Sequence, residues 1–212
     1  MPKIKLPTKS PRIDMTPMVD TFCVILIFLM LTATMSSPEP TNVDTPYSIS
    51  EKPTPDFNAM TFLISADGKV FLNFDNGQDT ILAFRPKVLT EMGKRYGIEF
   101  TDKQLREFQM YPSSIGVRIE DMQAFLDAED AATRKEFQHG IPMDSTNNQL
   151  AMWIQYARTV NPGFQACIRG DSKAEFPVVK RVLNILQDLN VKKFSLITSL
   201  EAAKINLEEI QQ

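Results

Sequence analysis

Hydrophobic and polar positions change their period along this chain, and each change predicts an element. From Thr21 to Met35 apolar residues run almost unbroken; counted from Pro17, the run is 19 residues, about 28 Å as a helix and close to the roughly 30 Å core of a bilayer. Met60 to Ser65 and Val70 to Phe74 are rich in Phe, Leu, Ile and Val and flank Ala66-Asp67-Gly68-Lys69. Asp-Gly between two such runs predicts a β-hairpin. Residues 76–144 are mostly helical in pattern, with a Thr101-x-x-Gln104 capping box. Leu150, Trp153, Ile154 and Ala157 then repeat at helical spacing behind Thr146-x-x-Gln149, and Asn161-Pro162-Gly163 ends that helix. Phe164, Ala166 and Ile168 alternate against Gln165, Cys167 and Arg169, the pattern of a strand. Gly170-Asp171 turns the chain, Pro177 suits a first helical turn, and Val179, Val182, Leu183, Leu186 and Leu189 form one stripe before a last strand, Lys193 to Thr198. Strand, helix, strand in this order predicts a right-handed crossover. The expected fold is an α+β domain, a hairpin plus strand-helix-strand in a mixed sheet with helices packed on it, preceded by one N-terminal transmembrane helix.

Averages hide that helix. The 212 residues are 43% hydrophobic and 23% charged with net charge −3, an ordinary soluble profile. Yet between Asp14 and Glu39 the only charge is Asp20. One apolar stretch excludes a polytopic transporter, and a pI near 5.3 with no long basic run excludes a bulk nucleic-acid binder. Lys3, Lys5, Lys9 and Arg12 precede the gap, whereas Glu39, Asp44 and Glu51 dominate after it. The positive-inside rule therefore puts the N-terminus in the cytoplasm. A cleaved signal peptide would share the basic start, but Asp20 at the head of the apolar core and the Ala33-Thr34-Met35 exit fit it poorly.

The expected organisation is a cytoplasmic tail (1–15), a transmembrane helix (16–36), a Pro-rich linker (37–56) and a domain (57–212) with a mostly helical insertion at about 76–144. Five of the 14 prolines fall between Pro38 and Pro55, which predicts a semi-rigid extended linker able to reach on the order of 50 Å. Cys23 and Cys167 lie too far apart in this layout to pair, and one His with two separated Cys builds no zinc site. No cofactor is expected.

Asp20 is the residue that needs a reason. An ionisable group in a span costs about 2.5 to 3.5 kcal/mol on insertion scales. Thr16 can cap the helix, Pro17 fits its first position, where no N–H is needed, and Asp20 lies about one turn, roughly 6 Å, further in. Desolvation favours its neutral form and hydration its anion, the property of a proton relay. Thr16, Asp20, Cys23, Ile27 and Thr34 share one face at about 100° per residue. The competing reading is an idle, hydrated end residue of the span.

The stretch Ile13-Asp14-Met15-Thr16-Pro17-Met18-Val19-Asp20, followed by Val24 to Leu31 and Thr32-Ala33, resembles the membrane signature of the ExbD/TolR family, with Met18 in place of the usual leucine. Val43-Asp44-Thr45-Pro46 is similar to the family's Val-Asp-Leu-Pro segment, with Thr45 departing at the apolar position, and Gln165 to Leu200 is similar to its last strand-helix-strand unit. Residues 76–144 have no counterpart in this resemblance.

The resemblance implies an ExbD-like subunit of an inner-membrane proton-driven motor in a Gram-negative bacterium, with its domain in the periplasm. It implies a homodimer whose spans sit in the bilayer inside a pentameric, polytopic ExbB/TolQ-like partner. Asp20 would carry protons with Thr16 beside it, and Val43, Asp44 and Pro46 would dock the linker. Work would pass to a TonB-like periplasmic protein for outer-membrane transport. The TolR-like envelope-integrity branch and gliding-type motors are the nearest alternatives.

Two readings from other classes remain: a membrane-tethered periplasmic binding module, and a secreted hydrolase. The second has little to work with. His139 is the only histidine and sits in a helix-end context, Asp171 reads as a turn residue, Trp153 as core, and Cys167 as a solvent-facing residue of its strand. The chain is not expected to be an enzyme.

Overall fold

The computed structural model describes residues 14–32, 39–48, 55, 57–75, 82–128, 130–144 and 146–200. The chain forms two compact units, Met1–Ser37 and Pro38–Gln212. The described part of the first unit is built around one helix, α1 (Thr16–Thr32). The second holds β1 (Tyr47–Ser48), β2 (Ala59–Ile64), β3 (Val70–Phe74), α2 (Phe84–Tyr96), α3 (Asp102–Met110), a 3-10 turn (Ile119–Asp121), α4 (Met122–Asp127), α5 (Ala131–Glu136), α6 (Gln149–Val160), β4 (Gln165–Gly170), α7 (Phe176–Asp188), β5 (Phe194–Leu196) and β6 (Ser199–Leu200).

β2 and β3 pair antiparallel, from Met60 opposite Phe74 to Ile64 opposite Val70. Gly68 in their turn has φ 74°, a conformation that side chains disfavour. β4 runs parallel to β2, and β5 parallel to β4, so the sheet is mixed in the order β3-β2-β4-β5, with α7 as the crossover. Alternation assigns the faces. Met60, Phe62, Ile64, Val70, Leu72, Phe74, Ala166 and Ile168 enter one core with Val88, Leu89 and Met92 of α2, Phe108 of α3, Phe125 of α4, Trp153 of α6 and Leu186 of α7. Phe108 stacks on Trp153 with ring centroids 6.1 Å apart, and Phe74 packs against both.

The helices between β3 and α6 are therefore part of the core rather than an appendage. The same segment closes one edge of the sheet. Leu72 and Ile115 exchange N–H···O bonds of 2.8 Å, and the Ile141 N–H donates to the Val70 carbonyl at 2.8 Å. Gly116 makes this approach possible, because a Cβ there would come within 2.2 Å of the Phe71 ring. An edge strand exposes a row of unpaired backbone groups, and here that row is partly satisfied from within the chain.

Local capping follows the sequence in one helix and departs from it in another. α3 has its box: the Gln104 N–H donates to Thr101 Oγ1 at 3.3 Å, and the Thr101 N–H to Gln104 Oε1 at 3.0 Å. For α6 the expected Thr146-x-x-Gln149 box is not what starts the helix. Asn148 is the cap, accepting from the Ala151 N–H at 3.0 Å. Gln149 is wholly buried and accepts from the Ile119 N–H while its amide donates to the Glu120 carboxylate. Satisfying those groups of the 3-10 turn outweighs a local box.

Candidate functional site

Thr16, Pro17 and Asp20 all lie on α1, in its first turn and a half. The helix begins at Thr16 itself, so Pro17 is its second residue, and Thr16 is inside the helix rather than a cap outside it. What fixes this start is Asp14. Its Oδ1 accepts both the Thr16 N–H at 3.0 Å and the Thr16 hydroxyl at 2.6 Å. The Met15 carbonyl then takes the N–H groups of Met18 and Val19, each at 3.1 Å. Hydrogen bonds first from the Thr16 hydroxyl and then from its backbone hold the Asp14 carboxyl below the usual carboxylate value. Thr16 and Asp20 are four residues apart and share a face. Thr21 and Thr32 instead turn their hydroxyls back onto the Pro17 and Phe28 carbonyls. The apolar side chains of α1 are exposed all round, Phe22, Val24, Phe28 and Leu29 among them.

No helix among the described residues is long and apolar enough to cross a membrane. α1 has 17 residues, about 26 Å against the roughly 30 Å needed. Residues 33–36, where the expected span would finish, lie outside the described residues.

Val43, Asp44 and Pro46 lie together on a second feature, a strap formed by residues 39–48. The proline content reads residues 37–56 as a semi-rigid extended linker, and the described residues 39–48 of it lie against the sheet. Val43 is buried with Leu63 and Phe71, on the sheet face opposite the main core. The Asp44 N–H donates to Asp171 Oδ2 at 3.0 Å, and its carbonyl accepts from the Ser172 N–H at 2.8 Å. The Pro46 carbonyl accepts from the Ser199 N–H at 3.0 Å. The Thr45 and Ser199 hydroxyls share a bond of 2.5 Å. Glu39 pairs with Arg169 at 2.6 Å, and β1 runs parallel to β6. Glu39 and Pro40 also border a cleft whose other wall is Tyr111, Pro112 and Arg134 of the helical segment. Thr45 thus contributes a polar contact to the strap.

Asp171 is the residue that sequence reasoning undervalued. It is a turn residue, accepting from the Lys173 N–H at 2.8 Å, and it is also the anchor of Asp44. Those two backbone donors, Lys173 first, hold its carboxyl below the ordinary value. Its only signal in the sequence is its turn position directly after β4. Cys167 is a correction. It is 1% exposed, on an interior strand between Thr61 of β2 and Ser195 of β5, and burial pushes its thiol up and away from reactivity. Trp153 is in the core and His139 is exposed. Among the described residues no cluster of three or more His, Cys, Asp or Glu could hold a metal ion.

The family profile for the biopolymer transport protein ExbD/TolR matches residues 7–201. This chain belongs to the ExbD/TolR family. The bounds of the match enclose α1, the strap, the whole sheet and residues 76–144. No curated protein and no solved structure matches the chain individually. The ExbD/TolR family is one of membrane-anchored transport accessory proteins rather than enzymes, and it works with ExbB/TolQ-type partners.

Proposed function

We propose that this ExbD/TolR-family chain is an ExbD-like subunit that converts proton motive force into work on a TonB-like protein serving outer-membrane transport. In this reading α1 and the residues after it cross the inner membrane once with the N-terminus in the cytoplasm. Two copies sit within a pentamer of an ExbB/TolQ-like subunit, and Asp20 takes up and releases protons with Thr16 beside it. The observation that carries the reading is α1 itself: a helix with apolar side chains exposed all round it and a single ionisable carboxylate, Asp20. A helix of that kind needs a membrane or a partner around it. Moving one charge through 100 mV is worth about 2.3 kcal/mol, so a few protons suffice to shift a periplasmic domain between states. The Val43-Asp44-Thr45-Pro46 segment supports the ExbD branch over the TolR branch.

A swap experiment separates this reading from a simple tether. Replacing residues 17–35 with a generic Leu-rich span keeps the anchor and removes Asp20. Loss of proton-driven transport is the expected result, and retained function would identify the helix as a tether only. Co-purification of the intact protein with a polytopic partner near a five-to-two ratio is expected as well, and a lone monomer would count against the motor.

A further inference from the structure

A threonine hydroxyl has one proton to donate and two lone pairs with which to accept. In α1 the Thr16 proton is already committed, since its hydroxyl donates to Asp14 Oδ1 at 2.6 Å and the same oxygen holds the Thr16 backbone N–H at 3.0 Å. A hydroxyl bond of 2.6 Å to a carboxylate is the strong, charge-assisted kind. With its proton held toward the helix start, Thr16 can present only lone pairs to the next turn. Residues four apart on a helix are neighbours and side chains lean toward the N-terminus, which puts Asp20 on the same face as Thr16, one turn on. An ionised carboxylate can only accept hydrogen bonds, whereas a protonated carboxyl can donate one.

We infer that Asp14 is a positioning residue which fixes the polarity of Thr16, so that Thr16 holds the protonated form of Asp20 and offers nothing to the anion. The inference rests on Asp20 being the proton carrier. It reverses the role a threonine beside a carboxylate would otherwise have, because a free hydroxyl would turn and donate to the anion. Asp14 stays ionised through the physiological range, since its bonds to Thr16 keep its carboxyl below the usual value. Among the described residues of this unit the titratable groups are Asp14, Asp20 and Cys23, all on or beside α1. None faces Asp20 from another packed element.

The test is the pH profile of proton-driven work in the intact complex with its polytopic partner. Asp14→Ala frees the Thr16 hydroxyl to donate to ionised Asp20, and the pH midpoint should move to the acid side by about half to one unit. Asp14→Asn keeps a side-chain oxygen to accept from Thr16 and should leave the midpoint in place. Thr16→Val removes both functions of the hydroxyl and should give a smaller acid shift. In that background Asp14→Ala should add nothing. If Asp14 acted only as a nearby charge, Asn and Ala would shift the midpoint equally, and the shift would survive in Thr16→Val; either result overturns the inference. An unshifted Asp14→Ala midpoint overturns it too. An active Asp20→Asn complex would overturn the proton-carrier reading itself, whereas an inactive one alongside an unshifted Asp14→Ala would remove only the role of Asp14.

Discussion

At the scale of single residues, the informative side chains are those whose polar atoms are engaged far from their place in sequence. Arg85 is 7% exposed and lies over the Phe74 ring at 5.9 Å. Its guanidinium donates to the Phe74 carbonyl at 2.8 Å and also to the Tyr111 carbonyl and Asn73 Oδ1. It ties the end of β3 to the loop after α3, and burial pushes its ionisation down. Arg85→Ala leaves buried acceptors without their donor and should cost about 1 to 3 kcal/mol in urea unfolding of the intact protein. An unchanged midpoint would show that the network is dispensable. Asp171 makes a prediction about pH. Its carboxyl is lowered by the Lys173 and Asp44 N–H donors, so its hold on the strap is complete above the ordinary carboxylate value of about 3.9 and is lost as pH falls through the lowered one. The Asp44 amide resonance should be constant through neutral pH and move only below about pH 4. Asp171→Ala should release the bond at every pH, and an amide signal unaffected by that change would refute the anchor.

At the scale of elements, the segment between β3 and α6 matters most. It supplies Val88, Leu89, Met92, Phe108 and Phe125 to the core and pairs with the edge of β3. Excision of residues 82–144 should therefore abolish cooperative unfolding, and a sigmoidal transition in the excised protein would contradict its place in the core. Regular periods made much of this architecture legible. The Asp-Gly hairpin, the strand at Phe164 to Arg169 and the stripe of α7 each repeat over several residues, and the structure has all three. Periodicity alone reads the strap as an extended linker, because one buried valine in a proline-rich run has no period; Val43, Asp44 and Pro46 come forward as docking residues only through the resemblance. The strap's partners Asp171 and Ser199 lie more than 120 residues away. Gln149 misled for a related reason: its three-residue spacing from Thr146 matches a capping box, but a backbone N–H and a carboxylate across the fold use it instead. Cys167 read as solvent-facing because alternation gives two faces without saying which positions an interior strand buries on the second. Val43→Asp would place a charge against Leu63 and Phe71. It should free the strap and raise amide exchange across 39–48, while the main core stays protected; unchanged exchange would rule out Val43 as the strap's anchor.

At the scale of the whole molecule, the two units differ in kind. One holds an apolar helix with a carboxylate in its second turn, the other is a packed α+β domain with a strap at residues 39–48. Membership of the ExbD/TolR family joins them to a membrane-anchored system with an ExbB/TolQ-type partner. The proton role of Asp20 is what would turn that system into a motor. The most direct measurement is proton-dependent transport by the complex carrying Asp20→Asn, an isosteric change that cannot ionise, alongside its recovery with the polytopic partner. The variant should co-purify with the partner as the native protein does and support no proton-driven transport. A fully assembled Asn variant that still transports would contradict the proton role.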